Sequence, residues 1–260
     1  MHNTHAPRKR FGQHFLHDQN ILRKIVHVIH LSREDHVVEI GPGQGALTRF
    51  LLDDVPHLDA VELDRDLVVY LREKYSSDQL SVHAGDALHF NFQQLQKNTK
   101  LRVVGNLPYN ISTPLLFHLF SQIACIQDMH FMLQKEVVLR LTAQTGDDDY
   151  GRLSVMTQYF CHADYLFSVS ANAFTPPPQV ASAIVRLVPK NHHPLTPQAF
   201  QIFSDIVKEA FNYRRKKLSN SLGRLVNAER LTAIGIDSHA RAENVSLADY
   251  IRIAHAISVD

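Results

Sequence analysis

The chain has 260 residues, 45% hydrophobic and 20% charged, with no internal repeat and no low-complexity tract. That is room for one large folded domain, or one domain with a small appendage, and the composition excludes disordered and fibrous classes. The net charge of +1 argues for no partner by itself, and no apolar run approaches the roughly 18 residues of a membrane-spanning helix.

The first sixteen residues, MHNTHAPRKRFGQHFL, include Arg8, Lys9 and Arg10 but no continuous apolar segment behind them, so they do not read as a secretory signal. Strands are then expected at His36–Ile40, Leu58–Leu63, Leu80–Ala84, Leu101–Val104 and Met129–Leu133. Helix-compatible spacing fills the intervals at Leu47–Leu52, Leu67–Tyr75 and Pro114–Ile123. This alternation predicts a mostly parallel sheet with helices on both faces.

The first of these strands runs into VVEIGPGQGAL, a turn with Gly41, Gly43 and Gly45 and an acid, Glu39, just ahead of it. A glycine turn between strand and helix lets a ligand approach backbone N–H groups, although glycine also serves tight turns for geometry alone. The spacing is not the dinucleotide fingerprint, but Glu62 ends the second strand, where an acid can bind a ribose diol. Asp86 ends the third strand, where it can accept a hydrogen bond from an adenine amino group. Singly, Glu62 fits a solvated loop acid and Asp86 a helix cap. In order along one sheet edge, they describe a site for a nucleoside-containing cofactor.

The fourth strand ends in VVGNLPYNIS. Asn106 offers an amide acceptor, Leu107 and Pro108 offer peptide carbonyls that the proline ring holds in place, and Tyr109 adds a flat ring. The group suits a planar base with an exocyclic amine: the ring stacks and the acceptors take both N–H protons. The alternative is an ordinary turn with a half-buried tyrosine.

Beyond residue 150 the rhythm changes. A helix is expected around Leu153–Phe160, then strand-like Leu166–Val169 and Ala183–Val188 with FTPPPQV between them, whose prolines at 176–178 forbid regular structure. Phe174 opens that loop and is read equally as a ring laid over the base or as a core plug. PKNHHPLTP then marks a domain boundary near residue 190, giving domains of 1–190 and 191–260. The tail shows helical patterns at Gln198–Phe211, Leu218–Leu225, Ala228–Ile234 and Leu247–Ala256, with Ser246 and Asp249 as a cap for the last. It also holds the basic run Arg214, Arg215, Lys216 and Lys217, either a solvated helix face or a phosphate contact. Cys125 and Cys161 lack a CxxC partner and fit reduced core thiols of a cytoplasmic protein. The 17 histidines are scattered without zinc-site spacing, so no metal is expected.

The motifs FGQHFLHD, EIGPGQGALT, VELD, GDAL, VVGNLPYNIST, FTPPPQVASAIVRL and FNYRRKKLSNSL, in this order over residues 8 to 255, closely resemble the KsgA (RsmA) family. These are S-adenosylmethionine-dependent ribosomal RNA adenine dimethyltransferases. Erythromycin-resistance methyltransferases share the NLPY-type and GQ-x-F-L elements, while RRKKLSNSL and RAENVSLADYIRIA look more like the small-subunit family. The resemblance implies a Rossmann-like class I methyltransferase sheet, α/β in class, with a small C-terminal all-helical domain. It implies S-adenosyl-L-methionine as cofactor and S-adenosyl-L-homocysteine as product. His14, Leu16, Gly41, Glu62, Asp86 and Asn106 would hold the cofactor, and Asn106, Leu107, Pro108, Tyr109 and Phe174 would serve the target adenine, sandwiched by the two aromatic rings. Arg8 to Arg10 and Arg214 to Lys217 would meet phosphates. The implied substrate is a pair of adjacent adenosines in the 3'-terminal stem-loop of small-subunit rRNA, in a partly assembled subunit, modified by a monomer during ribosome biogenesis. A non-catalytic assembly factor would not need an intact NLPY or cofactor site, and a small-molecule amine methyltransferase would not need the basic tail.

Overall fold

The computed structural model describes residues 14–258, so Arg8, Lys9 and Arg10 lie outside the described residues. In chain order the elements begin with β1 (Phe15–Leu16), α1 (Gln19–Ile29), β2 (His36–Ile40), α2 (Ala46–Asp54), β3 (Leu58–Glu62), α3 (Arg65–Lys74) and β4 (Leu80–Ala84). They continue with β5 (Leu101–Asn106), α4 (Ser112–Ser121), β6 (Ile126–Gln134), α5 (Lys135–Thr142), α6 (Arg152–Phe160), β7 (Cys161–Val169), β8 (Phe174–Thr175) and β9 (Ser182–Pro189). Last come α7 (Pro197–Asn212), α8 (Leu218–Ser221), α9 (Ala228–Ala233) and α10 (Leu247–Ser258).

Seven strands form one sheet in the order β4-β3-β2-β5-β6-β9-β7. From β4 to β6 every neighbouring pair is parallel, and β9 joins β6 antiparallel. The chain leaves β2 for β3 and β4 on one side, then returns to place β5 on the other. This reversal opens a crevice at the carboxyl ends of β2 and β5, the place where open α/β sheets bind ligands. The strands are apolar because helices cover both faces: Val37, Val38 and Ile40 are buried, as are Val103 and Val104. Where β5 passes β2, a Cβ on Gly105 would sit 2.6 Å from the Ile40 carbonyl oxygen, so only glycine permits the approach.

Besides helix α5, two features were not foreseen. Helix α1 is capped by Asp18, whose Oδ1 accepts from the N–H groups of Asn20 and Ile21 at 2.9 and 3.2 Å. It buries Leu22, Ile25, Val26 and Ile29. Arg102 on β5 fixes its far end, donating to the carbonyls of Ile29 and His30, which have no partner within the helix, while pairing with Asp35 and Asp128 at 2.7 Å each. The other is a second, two-stranded sheet in which β1 runs antiparallel to β8, with Leu16 opposite Phe174.

The chain divides into two compact units. The first runs to Val138 and adds Asp164–Pro189; the second combines Leu139–Ala163 with the chain from Lys190 onward. The division therefore differs from a single cut near residue 190, because α6 belongs with the helical tail. Aromatic packing explains it: the Tyr159 ring lies 5.1 Å from Phe200 and 5.0 Å from Phe203 on α7. In the same unit the hydroxyl of Tyr150 donates to the Val245 carbonyl and that of Tyr250 to the Ala242 carbonyl. Ser246 and Asp249 exchange side-chain and backbone hydrogen bonds at the start of α10, as their spacing predicted.

Candidate active site

A cavity of about 940 Å³ opens at the carboxyl edge of β2 to β6 in the first unit. Its lining includes nine of the residues assigned to cofactor or target: His14, Leu16, Gly41, Glu62, Asp86, Asn106, Leu107, Pro108 and Tyr109. Each lies at a strand end or directly beside one, which explains why motifs far apart in sequence meet.

On one side, Glu62 closes β3 and is 6% exposed. Its Oε2 accepts from the Gly43 N–H at 3.2 Å and its Oε1 from the Asp64 N–H at 2.8 Å. Burial raises its pKa above the usual carboxylate range, against the opposing pull of those backbone donors. Oxygens so oriented keep lone pairs for a diol. Gly43 has φ +58°, and a Cβ there would press on the Phe15 ring at 3.0 Å, so the turn, β1 and Glu62 are fitted to one another. Asp86 uses Oδ1 to accept from the Leu88 N–H at 2.9 Å, making it a turn acid at the cavity wall rather than a helix cap.

Glu39 sits deeper, 2% exposed, and accepts from Thr48 Oγ1 at 2.6 Å. Burial pushes its pKa up to about 7, offset in part by the Thr48 bond and reinforced by the nearby charge of Glu62.

On the other side, the NLPY turn departs from β5. The Asn106 Nδ2 donates to the His14 carbonyl at 2.9 Å, leaving the amide oxygen as the end that can accept. Pro108's carbonyl closes the turn by accepting from the Ile111 N–H, whereas Leu107's carbonyl accepts no hydrogen bond from a described residue. Of the two peptide acceptors expected here, Leu107's is the less engaged. Tyr109 is held by a 2.7 Å hydrogen bond between its hydroxyl and Ser182 Oγ at the start of β9, and burial raises its pKa.

Phe174 departs from the expected sandwich. It is 3% exposed, belongs to the apolar core cluster and does not line the cavity. Pairing of β8 with β1 turns its ring inward, and Thr175 reaches the cavity instead. Arg214 is engaged within the protein: its guanidinium donates to Glu243 Oε2 and to the Asp148 carbonyl at 2.6 Å each. Arg215, Lys216 and Lys217 remain exposed, with the Lys216 ammonium 4.7 Å from the centre of the Tyr213 ring.

Several lining residues escaped the sequence reading. Leu63, 49% exposed directly after Glu62, presents an apolar surface beside the ribose-type acid, and its place in VELD was the available signal. Lys74, the last residue of α3, donates to the Gln44 carbonyl at 3.0 Å across 30 positions, which no local pattern announced. Among the described residues no group of three or more His, Cys, Asp or Glu could hold a metal ion, and no helix is long and apolar enough to cross a membrane.

A parallel sheet with a switch point, a glycine turn after β2 and acids closing β3 and β4 is the architecture of the Rossmann-like S-adenosylmethionine-dependent methyltransferases. The family described as ribosomal RNA adenine dimethylase matches residues 4–258. The ribosomal RNA small subunit methyltransferase A of Coxiella burnetii (strain CbuG_Q212) is 54% identical over 254 residues, 96% of this chain and 98% of that protein. The protein of the same name from Pseudomonas syringae pv. syringae (strain B728a) is 51% identical over 98% of this chain and 96% of its own. Among solved structures, a dimethyladenosine transferase from Plasmodium falciparum aligns with a TM-score of 0.80 at 28% identity, covering 92% of this chain and 96% of that one. The 23S rRNA methyltransferase ErmE aligns at 0.72 and 26% identity, covering 94% and 99%. The chain belongs to the ribosomal RNA adenine dimethylase family: it is an S-adenosylmethionine-dependent rRNA adenine dimethyltransferase.

Proposed function

We propose that this enzyme dimethylates the N6 amines of two adjacent adenosines in the 3'-terminal stem-loop of small-subunit rRNA, acting in the cytoplasm as a monomer on a partly assembled subunit. One observation carries the reading: the Asn106 amide oxygen and the Leu107 carbonyl, which accept from no described residue, and the Tyr109 ring share a cavity with Glu62 and Asp86. The small-subunit substrate is supported by relatives of that name at 50% identity and above.

The residues present fit the cofactor. A diol meets Glu62, an adenine amine meets Asp86, an apolar face meets Leu63, and His14, Leu16 and Gly41 edge the same space. When bound, S-adenosylmethionine supplies a methyl group on a positively charged sulfur. The chain's own task is alignment, since an in-line displacement depends on holding the two reactants at near-attack distance. Asn106 Oδ1 and the Leu107 carbonyl accept the two protons of the target amine. That draws the amine out of conjugation with its ring and turns its lone pair outward. Tyr109 holds the base plane by stacking, worth about 1–3 kcal/mol. The target must be unpaired and unstacked, because a paired amine is out of reach. After transfer, the alkylated nitrogen loses its proton to water, so no strong base is needed, and none lies in the NLPY turn.

Phosphate contacts fall to Arg215, Lys216 and Lys217, with Arg8, Lys9 and Arg10 on the N-terminal side. The test is tritium transfer from labelled S-adenosylmethionine to undermethylated small subunits, with large-subunit RNA in parallel and Asn106→Ala as control. Dimethyladenosine in small-subunit RNA, absent with the variant, is the expected result. Label in large-subunit RNA alone would overturn the substrate, and no label in either would overturn the activity.

A further inference from the structure

The turn that carries Gly41, Gly43 and Gly45 cannot hold its shape by itself. All three glycines have positive φ, at 66°, 58° and 77°, and glycine gives up more conformational freedom on ordering than any other residue. Two of its N–H groups are tied to β3: Gly41 donates to the Val61 carbonyl at 2.9 Å and Gly43 to Glu62. Two of its carbonyls are tied from another direction, by the end of α3 and the residue after it. Lys74 Nζ donates to the Gln44 carbonyl at 3.0 Å, and the Tyr75 hydroxyl donates to the Gly45 carbonyl at 3.4 Å. We propose that Lys74 is a positioning residue for the cofactor, bracing the glycine turn on its carbonyl side in the shape against which the cofactor lies. The inference rests on the reading that S-adenosylmethionine occupies this cavity, and adds to it a residue outside the motifs that announced the site.

The ammonium is itself held in place. It lies 5.3 Å from the centre of the Tyr70 ring and 5.2 Å from that of the Tyr75 ring, within reach of two faces that attract a cation. As the last residue of α3, Lys74 also stands where the helix dipole favours positive charge. Packing leaves the turn little room to slide. A Cβ built on Gly45 would lie 3.2 Å from the Tyr75 hydroxyl oxygen and 3.3 Å from Leu71 Cδ2. Helix α3 is fixed to the sheet in turn, since Arg72 donates to the Val82 carbonyl on β4 at 2.7 Å. The brace therefore runs from β4 through α3 to the turn, by a route separate from Glu62. An exposed lysine most often serves solvation alone. This one donates to a turn carbonyl, stands between two rings and lines the cavity.

The test reads the turn with and without the cofactor. Lys74→Ala changes an exposed helix end and should leave the melting temperature within about 2 °C of wild type. In the free enzyme the Gly43 and Gly45 amides are bonded to Glu62 and to the Pro42 carbonyl. Their hydrogen exchange should be faster in Lys74→Ala by at least about fivefold, because the turn opens more often. The Kd for S-adenosylhomocysteine, by calorimetry, should rise about fivefold as the competent shape becomes rarer. In transfer assays the loss should fall on the KM for S-adenosylmethionine and not on kcat. Lys74→Arg keeps the charge, the donor and the ring contacts, and should restore both exchange and Kd. A raised Kd with unchanged exchange would make Lys74 a direct contact of the cofactor and overturn the brace. An unchanged Kd would leave an ordinary surface lysine and overturn it equally. Should wild type bind no S-adenosylhomocysteine, the reading of the cavity falls, and exchange in the free enzyme judges the brace alone. Faster exchange in Lys74→Ala then supports it, and equal exchange refutes it.

Discussion

The two halves of the cavity are built by different means. On the cofactor side the key bonds are local in sequence: Glu62 reaches Asp64 two residues away and Gly43 nineteen away, and Glu39 meets Thr48 nine away. On the target side the ties span 92 residues from Asn106 to His14 and 73 from Tyr109 to Ser182. Consecutive parallel strands place the first set automatically, because every such strand delivers its end to the same sheet edge. The second set exists only once β1, β5, β8 and β9 have all docked. The cofactor half should therefore survive changes that abolish the target half.

The largest separation between them comes from Asn106→Ala. It removes the acceptor that meets the target amine, so methyl transfer in single-turnover assays should fall by about a hundredfold or more. Calorimetry should find cofactor binding weakened far less. An equal loss of both would show that the halves are one unit.

Acidity should act on the cofactor half next. The Glu39 pKa is raised from 4.5 to about 7 in the folded protein, which binds this proton more tightly than the unfolded chain does. The stability it contributes is complete below about pH 4.5 and lost as pH rises through 7, on the order of 3 kcal/mol in all. Glu39→Gln keeps a neutral side chain at every pH. Urea unfolding should therefore show wild type losing stability relative to the variant between pH 5 and pH 8. Parallel curves would show that the carboxyl is ionised throughout.

Gly105→Ala probes the junction. Its Cβ would meet the Ile40 oxygen at 2.6 Å, forcing β2 and β5 apart at a cost of about 1–3 kcal/mol. Thermal unfolding measures that cost directly, and an unchanged melting temperature would refute the close approach. The smallest effect belongs to the basic run. Arg214→Ala breaks an exposed ion pair and should cost under about 1 kcal/mol of stability while sparing RNA binding. Alanine at Arg215, Lys216 and Lys217 should flatten the salt dependence of rRNA binding and leave cofactor binding intact. The reverse pattern would return the phosphate role to Arg214.

What the sequence disclosed follows the same division. The bounds expected for β2 and β4 coincide with those observed, because short apolar runs stopped by glycine or acid leave little choice. Glu62, Asp86 and the NLPY turn were legible for the same reason. Helix α1 was missed although Leu22, Ile25, Val26 and Ile29 repeat at helical spacing behind Asp18; a basic, histidine-rich setting masked the pattern. The two-residue pairing of β1 with β8 has no periodicity to read, and it alone decides that Phe174 turns inward. Nor could spacing show that Arg214 is held by Glu243, 29 positions away.

The acceptors at Asn106 and Leu107, unused among the described residues, also set up an exit signal under the proposed function. An unmodified adenine amine brings two N–H protons and satisfies both. After one methylation a single proton remains, and after two there is none. A finished base thus leaves two acceptors facing its methyl groups, and each unsatisfied acceptor costs about 1–3 kcal/mol. The site holds its substrate by the hydrogens it has yet to replace, and its grip loosens with each one it removes.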